Sequence, residues 1–254
     1  MLDFIKAIIL GIIEGVTEFL PISSTGHLIL VNQWISFSKN FTNLFDIFIQ
    51  LGAILAVVVL FWKRLFNLDL WLKTIVGVLP AIIIGFLFAD KIEEKLFNPW
   101  VVAITLLLGG IIILIAEKIN KSPKINTIKE LTFKTALLIG LIQCLSMIPG
   151  TSRSGATIIG ALILGASRIT ATEFSFFLAI PTMILASGWS LLEYRAILSF
   201  DNIYILLAGF IVSFIVALIV IKFFINYIQK NNFKIFGWYR IILGLIIILF
   251  FIIR

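Results

Sequence analysis

Two polar islands interrupt a chain that is otherwise almost wholly apolar. The first, Glu14–His27 (EGVTEFLPISSTGH), holds two carboxylates, the Ser23-Ser24-Thr25 hydroxyl run and the only histidine among the 254 residues. Glu14 and Glu18 are four apart, so a helix projects both from one face. Two like charges there repel, and more so in a low-dielectric setting, unless a cation, an arginine or a shared proton joins them. A divalent metal is one resolution. Mg²⁺ takes one or two carboxylates and fills its shell with water and phosphate oxygens. His27 follows Ser24 at i+3, on the same helical face. An imidazole with its ordinary pKa of about 6.5 suits proton transfer or nucleophilic attack.

The second island, Pro149–Thr157 (PGTSRSGAT), supplies Arg153 with Ser152, Ser154, Gly155 and Thr157. Glycine lets backbone approach a ligand closely, free N–H groups at a helix start favour anions, and a guanidinium grips phosphate with two parallel bonds. The bland alternative for Arg153 is an ion pair to Glu14 or Glu18, which would itself join the islands. Gln50, inside an apolar run, can orient a substrate or bond a neighbouring helix. Glu173 and Ser175 read as the capped start of a helix. The islands together predict one intramembrane, anion-handling site.

The elements that must position these groups are membrane helices. The chain is 61% hydrophobic and 13% charged, against about half and a quarter in soluble domains. Apolar runs near the ~20 residues needed to cross a bilayer fall at about 43–62, 71–90, 99–116, 174–193, 203–226 and 237–253. Leu2–Leu20 and the run from Ser24 are each short for a span and meet at Pro21. Thr135–Ile148 and the run to about Ala166 meet likewise at Pro149-Gly150. Broken pairs of this kind dip into the membrane and return, which is tolerated where the backbone is buried in protein or lines a cavity. The expected fold is all-α and polytopic, a single domain over 1–254. Each half, 1–117 and 135–254 with a linker at 118–134, is a broken re-entrant pair plus three transmembrane helices. Three spans per half make the repeat an inverted one, and such repeats place binding sites near the midplane.

Net charge is +7. Lysine and arginine gather in cytoplasmic loops of membrane proteins, which explains the excess without nucleic acid. With the 63–73 loop inside, thirteen basic residues, Arg240 among them, fall on the inner side. Six fall outside: Lys6, Lys39, Lys91, Lys95, Arg195 and Arg254. Both termini are then outside. The single cysteine, Cys144, allows no intramolecular disulfide and reads as a small buried hydrophobe. The N-terminal segment does not read as a cleavable signal peptide, because Glu14 and Glu18 interrupt its apolar stretch.

EGVTEFLPISSTGH and PGTSRSGAT, with IQLGAILAV (49–57) and EFSFFLAIPTM (173–183), closely resemble the undecaprenyl-diphosphate phosphatase family of bacterial membranes, known for bacitracin resistance. The resemblance covers essentially the whole chain. It implies hydrolysis of a C55 polyprenyl diphosphate to the monophosphate, recycling the lipid carrier for wall synthesis. It also implies a divalent cation, Mg²⁺ or Ca²⁺, with Glu14 and Glu18 as the acidic pair. Ser24, His27 and Arg153 match residues the family treats as active. A homodimer, a bacterial plasma-membrane location and a site open to the outer face are further implications. On residue chemistry, Ser23, Thr25, Gln50, Ser152, Ser154, Gly155 and Thr157 are candidate substrate contacts. Ser24 attacks with His27 as base, His27 attacks itself, or water does. The competing class is a transporter or lipid flippase that uses Glu14 and Glu18 as a coupling pair and Arg153 as anion anchor.

Overall fold

A computed structural model of the chain describes residues 2–119, 122–193 and 202–253. Ten α-helices follow one another among the described residues. They are α1 (Leu2–Thr17), α2 (Ser24–Val31), α3 (Lys39–Leu60), α4 (Leu68–Leu96), α5 (Pro99–Ile119), α6 (Phe133–Gln143), α7 (Arg153–Ile163), α8 (Arg168–Glu193), α9 (Ile203–Lys230) and α10 (Lys234–Ile253). Six of them, α3, α4, α5, α8, α9 and α10, are long and apolar enough to cross a membrane. The other four are the two short pairs α1–α2 and α6–α7, one in each half. The chain is a polytopic helical membrane protein.

Local chemistry sets where the helices start. Asn67, Asn98 and Ser167 each accept a backbone N–H three residues on, from Leu70, Val101 and Thr170, at the heads of α4, α5 and α8. Thr132 does the same for α6 through Thr135 at 3.1 Å. The cap at Ser167 moves the start of α8 upstream of Glu173, correcting the expectation that Glu173 and Ser175 open that helix. Glu173 instead pairs with Arg64, 2.6 Å away in the turn after α3. Pro80 and Pro181 lie inside α4 and α8 without ending either.

Small residues let the short helices sit tightly on the long ones, as membrane interfaces require. A Cβ on Gly15 of α1 would fall 2.7 Å from the Ser213 carbonyl of α9. In the other half, a Cβ on Gly77 of α4 would meet the Ala136 carbonyl of α6 at 3.2 Å. Helix α1 therefore packs on α9 as α6 packs on α4, while α5 and α10 pack on each other.

Basic residues expected on one side do share an end of the molecule. Buried Lys73 donates to Asp69 and to the carbonyls of Ile128 and Lys129 in the linker. Arg168 grips Glu117, which also accepts the Phe233 N–H at 2.8 Å. Lys121, Arg195 and Arg254 lie outside the described residues. Arg240 departs from the expectation. It is fully buried between the two short pairs, not an interfacial charge.

Candidate active site

Both breaks are built the same way. Ser23 and Ser152 are the only non-glycine residues with positive φ among the described residues, each at 72°. Each is the N-cap of the following helix, with its side chain accepting the N–H of the third residue on, Gly26 or Gly155, at 3.2 and 3.0 Å. A left-handed serine is strained, and such strain persists where the surroundings enforce it. The cap turns the chain sharply, so the residue after it, Ser24 in one half and Arg153 in the other, heads its helix. Carried along without a gap, the same register sets Gln143 where Glu14 stands and Met147 where Glu18 stands. The acids belong to one half alone.

The islands meet. Arg153 Nη2 lies 2.6 Å from Glu18 Oε1, and both side chains are about nine-tenths buried. Ser24 donates its hydroxyl to the other oxygen of the same carboxylate, Glu18 Oε2. Ser154 donates to the Leu20 carbonyl at 2.9 Å, with the Glu18 carbonyl at 3.2 Å. Phe19 lies under the Arg153 guanidinium at 5.7 Å and packs edge-on against Phe176 of α8. The Arg153–Glu18 ion pair is the bland alternative of the sequence reading, and it does assemble the site.

Some groups in this cluster remain unmatched. Both carboxylate oxygens of Glu14 are buried and receive no donor from the protein, their close polar neighbour being the Glu18 carboxylate, and Arg153 Nε has no partner either. Glu14 is fully buried and within electrostatic reach of Glu18, Asp46 and Arg153. Buried polar groups are almost always bonded, and here two undonated acceptors and one unpartnered cationic donor lie in one cluster. The first amides of α2 and α7 also have no carbonyl within their own helices to bond.

Several residues read as substrate contacts are committed to the protein. Ser152 also contacts Ser154 at 3.0 Å. Thr157 is bonded to the Arg153 carbonyl at 2.9 Å and to Ser175 at 2.6 Å. Ser175, whose carbonyl accepts Arg153 Nη1 at 3.2 Å, holds the arginine from α8. Thr25 is half-buried in α2. Gln50, half-buried on α3, makes no hydrogen bond to the Glu18–Arg153 cluster. His27 is not paired with Ser24. Its Nδ1 meets the Ser23 carbonyl at 2.7 Å and its Nε2 meets the Tyr239 hydroxyl at 2.6 Å.

Two neighbours on α10 escaped the sequence reading. Tyr239 stacks on His27 with ring centroids 5.7 Å apart. Arg240 donates to five carbonyls, those of Pro21, Gly150 and Thr151 at the two breaks and Thr105 and Leu106 on α5, at 2.9–3.3 Å. Arg240 pins both breaks to α5. The one available signal was a charge inside an apolar run, which marks function or structure by default.

Six apolar spans and two strained, capped breaks that meet in a buried acid–hydroxyl–guanidinium cluster define a polytopic membrane protein. The sequence matches the family described as bacitracin resistance protein BacA over residues 7–246, and the chain belongs to that family. It is 51% identical over 269 residues to an undecaprenyl-diphosphatase of Acetivibrio thermocellus, covering 99% of each chain. It is 50% identical to undecaprenyl-diphosphatase 1 of Clostridioides difficile, covering 99% of this chain and 97% of the other. An undecaprenyl-diphosphatase of Enterococcus faecalis is 47% identical, covering 98% of each.

Proposed function

We propose that this chain hydrolyses undecaprenyl diphosphate to undecaprenyl phosphate and inorganic phosphate, recycling the lipid carrier for cell-wall synthesis and conferring bacitracin resistance. The observation that carries this reading is the unmatched chemistry of one buried site. Arg153 Nε is a free donor and Glu14 offers two free acceptors, beside a serine already bonded to a carboxylate. A diphosphate with a divalent cation satisfies both sets. Nearly full coverage of both chains and about 50% identity to proteins named undecaprenyl-diphosphatase support the substrate.

Glu14, with its unpartnered oxygens, is the side chain that fits a divalent cation. Glu18 adjoins it, but both its oxygens are engaged by Arg153 and Ser24. Among the described residues no three His, Cys, Asp or Glu side chains converge on a metal position. A Mg²⁺ or Ca²⁺ ion there would draw on water and phosphate oxygens, as Mg²⁺ does in phosphoryl sites. When bound, the cation neutralises charge on the transferring phosphoryl group.

The residues of the chain do the rest. Arg153 Nε and the leading amides of α7 hold the terminal phosphate and its developing charge. Ser24 Oγ attacks the terminal phosphorus in line and passes its proton to Glu18 Oε2, the group it already bonds. The bridging P–O bond breaks and undecaprenyl phosphate leaves. Water then attacks the Ser24 phosphoester, the Ser24 O–P bond breaks, and Glu18 returns its proton to the serine oxygen as phosphate leaves. His27, held by Ser23 and Tyr239 and not by Ser24, takes up a proton from that water through the Tyr239 hydroxyl, which gives its own proton to Nε2. The prenyl tail stays among apolar helix faces. We also read the two halves as inverted repeats, the outer end as the one carrying Lys6 and Lys39, and the working form as a homodimer in the bacterial plasma membrane.

The test is a quench of purified protein turning over polyprenyl diphosphate, followed by mapping of any phosphoenzyme. An acid-stable phosphate on Ser24, absent in Ser24→Ala, supports the serine route. An acid-labile phosphate on His27 would replace it with the histidine route, and no phosphoenzyme under rapid quench would point to water. No phosphate release at all would remove the phosphatase reading.

A further inference from the structure

One side chain of α10 decides what the only histidine can do. His27 Nδ1 faces the Ser23 carbonyl at 2.7 Å. A carbonyl oxygen can only accept, so Nδ1 carries a proton. In the neutral ring Nε2 then holds only a lone pair, and the hydroxyl 2.6 Å away must donate to it. That hydroxyl belongs to Tyr239, whose ring lies within 9° of parallel to the imidazole. The next residue, Arg240, is bonded to five carbonyls on three segments, so the backbone under Tyr239 is fixed. Meanwhile Ser24 gives its proton to Glu18, leaving the imidazole free of the serine.

We propose that Tyr239 is a positioning residue: it holds His27 in the Nδ1–H form and keeps Nε2 as the proton-accepting atom of the site. This role rests on the phosphatase reading. Which ring nitrogen of a histidine is protonated is set by the bond the other one makes. A phenol serves both charge states, because it donates to a neutral ring and accepts from an imidazolium. The Tyr239 hydroxyl occupies the one lone pair of Nε2, so the proton reaches the ring through the phenol: Tyr239 passes its own proton to Nε2 as it takes one from the attacking water, and the contact survives with its donor reversed. A bound water could occupy the same place but would not fix the plane of the ring. The two residues are 212 positions apart, so only the tertiary fold, with α2 and α10 both against α5, creates the pair.

His27 is the sole histidine, so ¹⁵N-histidine labelling reports this one ring without assignment. At a pH where the ring is neutral, the wild type is expected to show a protonated Nδ1 and an unprotonated Nε2. Tyr239→Phe keeps the aromatic ring and removes the hydroxyl. It is expected to admit the Nε2–H form, with kcat for polyprenyl diphosphate about ten-fold lower, in the range seen when groups that orient a histidine are lost, and KM little changed. Trp238→Phe, at a 56% exposed neighbour, is the control and leaves both readouts unchanged. Identical ring spectra in wild type and Tyr239→Phe, or a wild type already in the Nε2–H form, overturn the proposal. A changed spectrum with unchanged kcat overturns the positioning role. A changed spectrum with no phosphate release even in the wild type defeats the phosphatase reading and leaves the Tyr239–His27 coupling intact.

Discussion

Glu18 is the residue on which the two halves converge, since one of its oxygens takes Arg153 and the other takes Ser24. Glu18→Gln keeps the shape but leaves the guanidinium without its counter-charge. Removing one partner of a buried pair typically costs about 3–5 kcal/mol, so the melting temperature in detergent is expected to fall. Phosphate release is expected to drop at least about 100-fold, because both a proton acceptor and a charge clamp are altered. Glu14 predicts the opposite signature. Its oxygens receive no donor and face the like-charged Glu18 carboxylate, so Glu14→Gln is expected to leave the melting temperature in chelator unchanged or raised. Added Mg²⁺ or Ca²⁺ stabilises the wild type by preferential binding to the folded state. That thermal shift is expected to vanish in Glu14→Gln, and equal shifts in both proteins would remove Glu14 from the cation site.

At the scale of elements, the site depends on how closely short helices lie against long ones. A methyl group on Gly15 would meet the Ser213 carbonyl at 2.7 Å and Val216 Cβ at 2.8 Å. Gly15→Ala is therefore expected to shift α1, with Glu14 and Glu18, and to destabilise by about 1–3 kcal/mol as overpacking does. Gly188→Ala is the matched control. Nothing lies within 4 Å of its added methyl, and replacing a helical glycine there is expected to be neutral or stabilising by up to about 1 kcal/mol. Arg240→Lys probes the tie between breaks. A lysine offers one cationic point where the guanidinium reaches five carbonyls, and the loss of several charge-assisted bonds is expected to exceed about 2 kcal/mol. Thermal melts of the three variants beside phosphate release check these outcomes.

For the whole molecule, the testable quantity is orientation. Lys73, the linker carbonyls, Glu117 and Arg168 gather at one end. Lys6, bonded to the Ser36 carbonyl at 3.0 Å, lies near the start of α3. With the basic end inside, Lys39→Cys in a Cys144→Ser background is expected to react with an impermeant maleimide added to intact cells. Lys124→Cys is expected to react only after the membrane is opened. The native thiol can be removed safely, because Cys144 only donates to the Gly140 carbonyl at 3.3 Å. The reverse labelling pattern would turn the site toward the cytoplasm and end the proposal of an outward-facing phosphatase.

Hydropathy and spacing were enough to fix the class, the six spans, the two breaks and the acids, hydroxyls and arginine that cluster there. The reason is local: span length, proline and glycine punctuation, and polar groups set in apolar runs are all written within a few residues. The pairing of groups was not legible. Ser24 and His27 share a helix face in the sequence, yet the serine turns to Glu18 and the imidazole to Tyr239, a residue from the last helix. Arg240 falls among the inner-side basic residues in the sequence and is a fully buried tie between the breaks. Thr157, Ser152 and Ser154 read as substrate contacts, and in the fold their hydroxyls also bond protein groups. Each of these outcomes depends on which neighbour fills a donor or acceptor, and for His27, Ser154 and Arg240 only the packing of one half against the other supplies it.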